Sequence, residues 1–259
     1  MTDDAIPILE FDPDTTAIIE PSLSYSSIED LPARGVITWM RNAFEHFANQ
    51  QSVTEVGTYK IESSTTPFYR FDVEGHTEPI VLALAPVGAP AAVGLLELLI
   101  SQGCSQIVGV GSSGGLVPEL APGSVVVPDA AIRDEGVSYH YAAPGVLAHL
   151  DATVQDQVEA TFAQAGFNVT RGLAWTTDAF FRETKAKVAR RQEQGALVVD
   201  MEAASMAAVA AFRGAKYGQA LYVADTLFGD EWDRTELIKR DLDYRYRLLL
   251  TATHACARL

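Results

Sequence analysis

The distribution of apolar and polar positions along the chain predicts strands and helices in turn. Short apolar runs such as "PIVLALAP", "SQIVGVG" and "ALVVD" have the length and β-branched content of buried strands. Stretches with helical character follow several of them, among them residues 91–104, 150–165, 183–194 and 201–212. Alternation of this kind is typical of an α/β fold. We therefore predict a single domain over residues 1–259, with a central mixed twisted β-sheet flanked by helices.

Other elements are predicted at the two ends of the chain and at its glycine-rich segment. "TTAIIE" predicts a strand over 15–20, a serine-rich loop follows at 21–30, and "ITWMRNAFEHFAN" predicts a helix over 37–49. "GSSGGL" predicts a turn over 111–116, directly after a strand. A long amphipathic helix is expected at about 234–256.

Composition and charge argue against several classes of protein. The chain has 259 residues, 48% of them hydrophobic, and a formal net charge of −15. No basic stripe is visible, which disfavours a nucleic-acid partner. No apolar run reaches the roughly 18 residues of a membrane span, and the acidic start lacks the basic residues of a signal peptide, so a cytoplasmic location is expected. Cys104 and Cys256 are the only cysteines, and no His/Cys cluster predicts a metal site.

The segment "GVGSSGGL" is a candidate anion site. Glycines let backbone amides approach an anion closely, and serine hydroxyls add donors. Gly111, Ser112 and Ser113 are therefore candidate phosphate-binding residues. The alternative is a tight turn without a ligand.

Two carboxylates stand where apolar runs end. Glu202 in "LVVDMEAAS" can accept hydrogen bonds from two neighbouring hydroxyls, with Met201 as an apolar surface beside them. The alternative is that Glu202 only stabilises the N-terminus of the following helix. Asp225 in "LYVADTL" stands beside apolar walls that would raise its pKa, as a general acid needs, or it caps the next turn.

A third candidate segment is "TTDAFFRET". Phe180 and Phe181 could stack on a planar base, with Arg182 and the hydroxyl of Thr176 as hydrogen-bonding partners. The alternative is that one Phe belongs to the core and Arg182 to the surface.

Together these segments resemble the nucleoside phosphorylase family, which includes purine nucleoside phosphorylases, uridine phosphorylases and adenosylhomocysteine nucleosidases. The resemblance covers roughly residues 80–232. It implies cleavage of a nucleoside N-glycosidic bond, with Glu202 on the ribose hydroxyls and Asp225 as the acid that protonates a purine. It also implies inorganic phosphate as co-substrate without any other cofactor, and a homo-oligomer. "RDEGVSYHY" and "TTDAFFRET" look closest to the uridine phosphorylase branch, so the base stays open.

The chain departs from the family at the phosphate site. Gly109 stands where these phosphorylases usually carry an Arg, and the Gly-Asp-Pro…Arg loop is missing after the predicted first strand. Arg34 is a candidate replacement, donated across a subunit interface. Phosphorolysis is the leading expectation. The alternatives are hydrolysis, with Glu20 positioning water, and nucleoside binding without turnover.

Overall fold

The computed structural model describes residues 6–229, 231–234, 237, 239 and 241–259. None of the helices within these residues is long and apolar enough to cross a membrane.

Ten strands and seven helices form the architecture discussed below. The strands are β1 (Arg34–Thr38), β2 (Val53–Ile61), β3 (Ser64–Phe71), β4 (Ile80–Leu84), β5 (Gln106–Gly115), β6 (Val125–Asp134), β7 (Leu147–His149), β8 (Val169–Thr177), β9 (Ala196–Asp200) and β10 (Lys216–Thr226). The helices are α1 (Pro21–Ser24), α2 (Arg41–Gln50), α3 (Ala89–Ser101), α4 (Ala152–Gln164), α5 (Lys185–Glu193), α6 (Ala203–Phe212) and α7 (Leu242–Ala257).

All ten strands join one mixed sheet. β1 lies parallel between β4 and β5, and β3 and β2 extend the sheet in antiparallel order beyond β4. On the other side, β5 pairs with both β10 and β9. Because β10 also pairs with β6, β6 with β8 and β8 with β9, these five strands close into a ring. The predicted α/β fold with a mixed sheet is confirmed, and the closure is an addition to it.

Helices cover both faces of the sheet. Val36 and Ile37 are adjacent in β1 and belong to different hydrophobic clusters, because successive side chains of a strand point to opposite faces. The cluster around Ile37 contains residues of α3 and α6. The cluster around Val36 contains residues of α2, α4 and α7.

The N-terminal prediction was wrong. Residues 15–20 form no strand, and the first strand is β1, which takes the first two residues of the helix predicted over 37–49. Val36 and Ile37 are fully buried between two neighbouring strands, whereas Ile18 is 100% exposed and Ile19 is 79% exposed. Sheet partners far along the chain decide which of the two apolar runs becomes a strand.

Two other boundaries also differ from the prediction. The turn expected at 111–116 is absent, because β5 continues through Gly115 and pairs with β10 along its whole length. The helix expected over 234–256 is confirmed from Leu242 onward. Residues 235, 236, 238 and 240 of that prediction lie outside the described residues.

Candidate active site

A cavity of about 440 Å³ opens near the carboxyl ends of β1, β5, β9 and β10. Ligands of open α/β sheets commonly bind at such strand ends. The predicted site residues that line it are Gly111, Ser112, Ser113, Phe180, Phe181, Met201, Glu202 and Asp225. Sequence positions more than a hundred residues apart are therefore brought to one cavity.

The glycine-rich part of β5 has a strand neighbour on only one side. β1 leaves β5 after Val110 and β9 joins it at Gly114, so residues 111–113 pair with β10 alone. Ser112 is exposed toward the cavity, whereas the buried hydroxyl of Ser113 donates to the carbonyl of Tyr222 at 3.2 Å. An anion here would meet backbone groups and Ser112 rather than both serine hydroxyls.

Glu202 lies in the wall of the cavity and does not cap helix α6. Its Oε1 accepts a hydrogen bond of 2.6 Å from the backbone N–H of Gly88, which adopts a positive φ of 98° at the start of α3. The N-terminus of α6 is capped by Asp200, whose Oδ2 accepts from the N–H groups of Glu202 and Ala203 at 3.2 and 2.7 Å. Because Asp200 performs the capping, the carboxylate of Glu202 is left for a ligand.

Thr176 positions the side chain of Asp200 and does not line the cavity. It is fully buried, and its hydroxyl donates to Oδ1 of Asp200 at 2.7 Å and accepts from the N–H of Ala204 at 3.0 Å. Because the hydroxyl of Thr176 has these two partners within the protein, the geometry does not support the predicted direct contact with substrate.

Burial changes the ionisation of Glu202 and Asp200. It raises the pKa of Glu202, and the negative charge of Asp200 raises it further, against the opposing hydrogen bond from Gly88. The pKa of Asp200 is also raised by burial, although its hydrogen bonds to Thr176, Ala203 and Glu202 oppose the shift. A carboxylate in these surroundings gains from hydroxyl donors.

Asp225 lies at the end of β10, against the glycine-rich strand. Its Oδ2 accepts a 2.6 Å hydrogen bond from the indole N–H of Trp232, and its Oδ1 is 3.5 Å from the place that a Cβ on Gly114 would take. Burial raises the pKa of Asp225, Trp232 opposes this and Asp233 adds to it. A carboxyl group with a raised pKa can hold the proton that a general acid must give.

Two aromatic rings stand at the mouth of the cavity. Phe180 is 51% exposed and Phe181 is 87% exposed, and their ring centroids are 4.0 Å apart. Rings of this kind gain from covering a planar base. Arg182 follows them but is exposed and outside the cavity lining.

Arg34 and Glu20 lie away from the cavity. Arg34 begins β1, at the strand end opposite the cavity, and its guanidinium donates to Gln106 at 3.3 Å and to the carbonyl of Ala257 at 3.1 Å. Glu20 accepts from the N–H of Ala17 at 2.5 Å, beside α1 rather than at a strand end. Within one chain neither residue lines the cavity.

Residues 33–251 match the sequence model of the phosphorylase superfamily. The chain belongs to this superfamily. The uridine phosphorylase of Escherichia coli strain K12 is 21% identical over 71% of this chain and 78% of the relative. A DeoD-type purine nucleoside phosphorylase of Dichelobacter nodosus is 25% identical over 83% of this chain and 86% of the relative. The resemblance seen in the sequence is confirmed, and the chain is an enzyme of the nucleoside phosphorylase-like pentosyltransferase type.

Solved structures share the fold. The purine nucleoside phosphorylase of Toxoplasma gondii in complex with immucillin-H has a TM-score of 0.76 at 21% identity, covering 89% of this chain and 92% of that one. The uridine phosphorylase of Vibrio fischeri ES114 has a TM-score of 0.78 at 16% identity, covering 94% and 99%. At these identities the likeness shows the phosphorylase fold alone.

The structure explains why Gly109 carries no side chain in this member of the superfamily. A Cβ there would collide with the hydroxyl of Tyr217 and lie 3.2 Å from Cγ of Gln219. Trp39 covers the neighbouring glycine, with its Cε3 3.0 Å from the place of a Cβ on Gly111. The described lining residues include four carboxyl groups and no Lys or Arg.

Sequence reasoning missed five lining residues with polar or aromatic side chains. These are Trp39, Glu183, Asp200, Gln219 and Trp232. Trp39 follows β1, so correct placement of the first strand would have found it. Glu183 stands inside the quoted "TTDAFFRET", and Gln219 is a polar residue within an apolar strand. Trp232 carries no such signal, because its link to Asp225 exists only in three dimensions.

Proposed function

We propose that this chain cleaves the N-glycosidic bond of a ribonucleoside in the cavity, with inorganic phosphate as nucleophile and co-substrate. The observation that carries the proposal is the position of Glu202. Its buried carboxylate lines the cavity without capping a helix, next to Met201. Two vicinal ribose hydroxyls are the donors that such a carboxylate accepts best.

The remaining cavity supplies the other parts of the reaction. Phe180 and Phe181 cover the base, Asp225 protonates it as it leaves, and the open side of β5 at Ser112 receives the nucleophile. As the bond to the base breaks, positive charge develops on the ribose, and nearby carboxylates stabilise it. Phosphorolysis leads because the named relatives in this family are phosphorylases.

Hydrolysis is the second candidate, favoured by one observation at the nucleophile end. Trp39 lies over Gly111, and the described cavity wall offers no cation to a phosphate dianion. A charge-assisted contact contributes about 1.5–3 kcal/mol, so its absence weakens phosphate binding by roughly ten- to a hundredfold. Water needs no such partner.

The test is a panel of purine and pyrimidine ribonucleosides, incubated with and without phosphate, followed by product analysis. Release of base with ribose 1-phosphate at millimolar phosphate supports the proposal. Free ribose at a rate independent of phosphate supports hydrolysis instead. Ligand binding without release of any base contradicts both and identifies a nucleoside-binding protein. Assembly into a homo-oligomer and a cytoplasmic location stay predictions.

A further inference from the structure

Two hydrogen-bond donors in the wall of the cavity have no partner within the described residues. Gln219 is fully buried in β10 and lines the cavity, and its Nε2 meets no acceptor there. The buried indole Nε1 of Trp39, which also lines the cavity, lacks an acceptor in the same part of the chain. Buried donors are costly when they stay unpaired, so most of them in folded proteins have a partner. Two such donors in one cavity wall indicate a ligand that accepts hydrogen bonds.

Both donors stand beside the same stretch of β5. Gln219 is opposite Gly109 in the register of β5 and β10, and its Cγ lies 3.2 Å from the place of a Cβ on Gly109. The ring of Trp39 covers Gly111. Side chains at positions 109 and 111 would point to one face of the strand, about 6–7 Å apart. The two glycines leave that face free, and the side chains of Gln219 and Trp39 occupy it instead.

Tyr217 determines which end of the Gln219 amide is available. Its hydroxyl donates to Oε1 of Gln219 at 2.9 Å. Because Oε1 already has this partner, the N–H groups of Nε2 are what Gln219 offers to a ligand. A donor whose orientation is set by the protein in this way loses little entropy on binding.

We propose that Nε2 of Gln219 and Nε1 of Trp39 bind the oxygens of inorganic phosphate, in place of the arginine that the family resemblance led us to expect at Gly109. This assignment of the two donors rests on the proposed function of the cavity. N–H dipoles can hold an anion without a cation, and a hydrogen bond to a charged acceptor is roughly twice as strong as one between neutral groups. Hydrogen bonds of about 2.9 Å to different oxygens of one phosphate span the distance between positions 109 and 111.

Phosphate fits the two donors better than water does. It brings several acceptor oxygens and a negative charge, whereas a water molecule is neutral and has a single oxygen. An arginine would add a full positive charge and a fork of N–H groups, which the amide and the indole do not supply. We therefore expect phosphate to bind in the millimolar range.

The first test needs no turnover. The chain has three tryptophans, so a ¹H–¹⁵N spectrum shows three indole N–H signals, which W39F and W232F assign. Inorganic phosphate should move the Trp39 signal in a saturable way. The indole of Trp175 is the internal control, because it already donates to Oδ2 of Asp134 at 2.9 Å. A Trp39 signal that phosphate leaves in place, or that sodium chloride at equal ionic strength moves as much, overturns the proposal.

The second test removes each donor in turn. Q219M keeps the length of the side chain and W39F keeps an aromatic ring, but neither retains the N–H group. Each should raise the phosphate concentration at half-saturation by about ten- to a hundredfold, because one hydrogen bond to a charged group is lost. KM for the nucleoside should stay within about threefold of the parental value. Unchanged phosphate dependence in both variants overturns the proposal.

Two controls separate loss of the donor from damage to the fold. Q219M leaves the hydroxyl of Tyr217 without its acceptor, so Y217F/Q219M removes both ends of that bond and should recover Tm while phosphate binding stays weak. Gln157 is the matched glutamine, because its Nε2 donates to Oγ1 of Thr161 at 2.9 Å outside the cavity. Q157M should leave the phosphate dependence unchanged. Recovery of both Tm and parental phosphate dependence in Y217F/Q219M would make the effect of Q219M structural and contradict the proposal.

Failure of this phosphate site can be told apart from failure of the proposed function. Phosphate that moves the Trp39 signal in a protein that releases no base supports the site and rejects the proposed function. Formation of ribose 1-phosphate that neither Q219M nor W39F alters keeps the proposed function and rejects the site. Free ribose formed independently of phosphate, with no movement of the Trp39 signal, rejects both.

Discussion

Replacing Glu202 by Gln changes one charge in the cavity and keeps the shape of the side chain. Oε1 of Glu202 accepts from the N–H of Gly88 at 2.6 Å, so the Gln oxygen should take this bond and turn its NH₂ group toward the ribose. A donor then stands where the reaction needs an acceptor. A hydrogen bond to a charged group contributes about 1.5–3 kcal/mol, and the two hydroxyl contacts together about 3 kcal/mol. Above about pH 8, where Glu202 is ionised, we expect kcat/KM to fall by about a hundredfold or more.

The same substitution should stabilise the protein at high pH. Burial and the charge of Asp200 raise the pKa of Glu202 from 4.5 to about 8, so ionisation costs more in the folded than in the unfolded chain. An acid of this kind reduces the free energy of unfolding as the pH rises from about 4.5 to about 8. Above that range the free energy of unfolding is lowered by the full amount. Each pKa unit is worth about 1.4 kcal/mol. The rise from 4.5 to about 8 sets an upper limit of about 5 kcal/mol. Because the folded chain relaxes around the charge, we expect E202Q to gain on the order of 2 kcal/mol at pH 9, or about 4–8 °C in Tm.

The assay combines kinetics and thermal unfolding. kcat/KM is measured with a ribonucleoside and its 2′-deoxy analogue, and the loss should be smaller for the analogue because one hydroxyl contact is already absent. Tm is measured at pH 4, where the two proteins should agree, and at pH 9. Glu97 is a matched control, since it is also a buried carboxylate but pairs with Arg213 at 2.8 Å outside the cavity. E97Q should lower Tm and leave kcat/KM unchanged. Parental activity in E202Q, or a lower Tm at pH 9, would refute the reasoning.

Three further substitutions test the other site residues. Asp225→Asn should slow purine nucleosides more than pyrimidine ones, because Asn cannot deliver a proton; equal rates on both across a pH series would remove the acid role. Thr176→Val should lower the free energy of unfolding by about 1–2 kcal/mol and reduce activity through a displaced Asp200, with both restored in Thr176→Ser; rescue of neither would contradict a positioning role. Arg34→Ala should lower Tm through loss of its bond to Ala257, and a raised phosphate requirement in the same variant is expected only if Arg34 also acts across a subunit interface.

Local pattern predicted most of the fold. Runs such as "ALVVD" became strand β9 with the predicted bounds, since a short β-branched run admits few other structures. The N-terminal error arose because "TTAIIE" and "RGVIT" look alike in isolation. Only the pairing of Gly35–Thr38 with residues of β4 and β5 decides between them.

The sequence predicted which residues form the site, but not where their side chains point. Glu202 and Asp225 are visible in the sequence because carboxylates that end apolar runs stand out. That Asp200 caps α6, and so frees Glu202, depends on side-chain orientation within three consecutive residues. The hydroxyl of Tyr217 leaves no room for a side chain at position 109. This contact depends on the register between β5 and β10.

The charge distribution of the cavity suits a transition state better than a ground state. Glu183, Asp200, Glu202 and Asp225 all line it, and burial raises the pKa of each. A neutral nucleoside gives these groups hydrogen bonds but no opposite charge. Positive charge appears only as the bond to the base breaks, on the ribose beside Glu202. This positive charge favours the ionised form of these carboxyl groups most at that moment, and an interaction that strengthens in the transition state raises the rate rather than only the affinity.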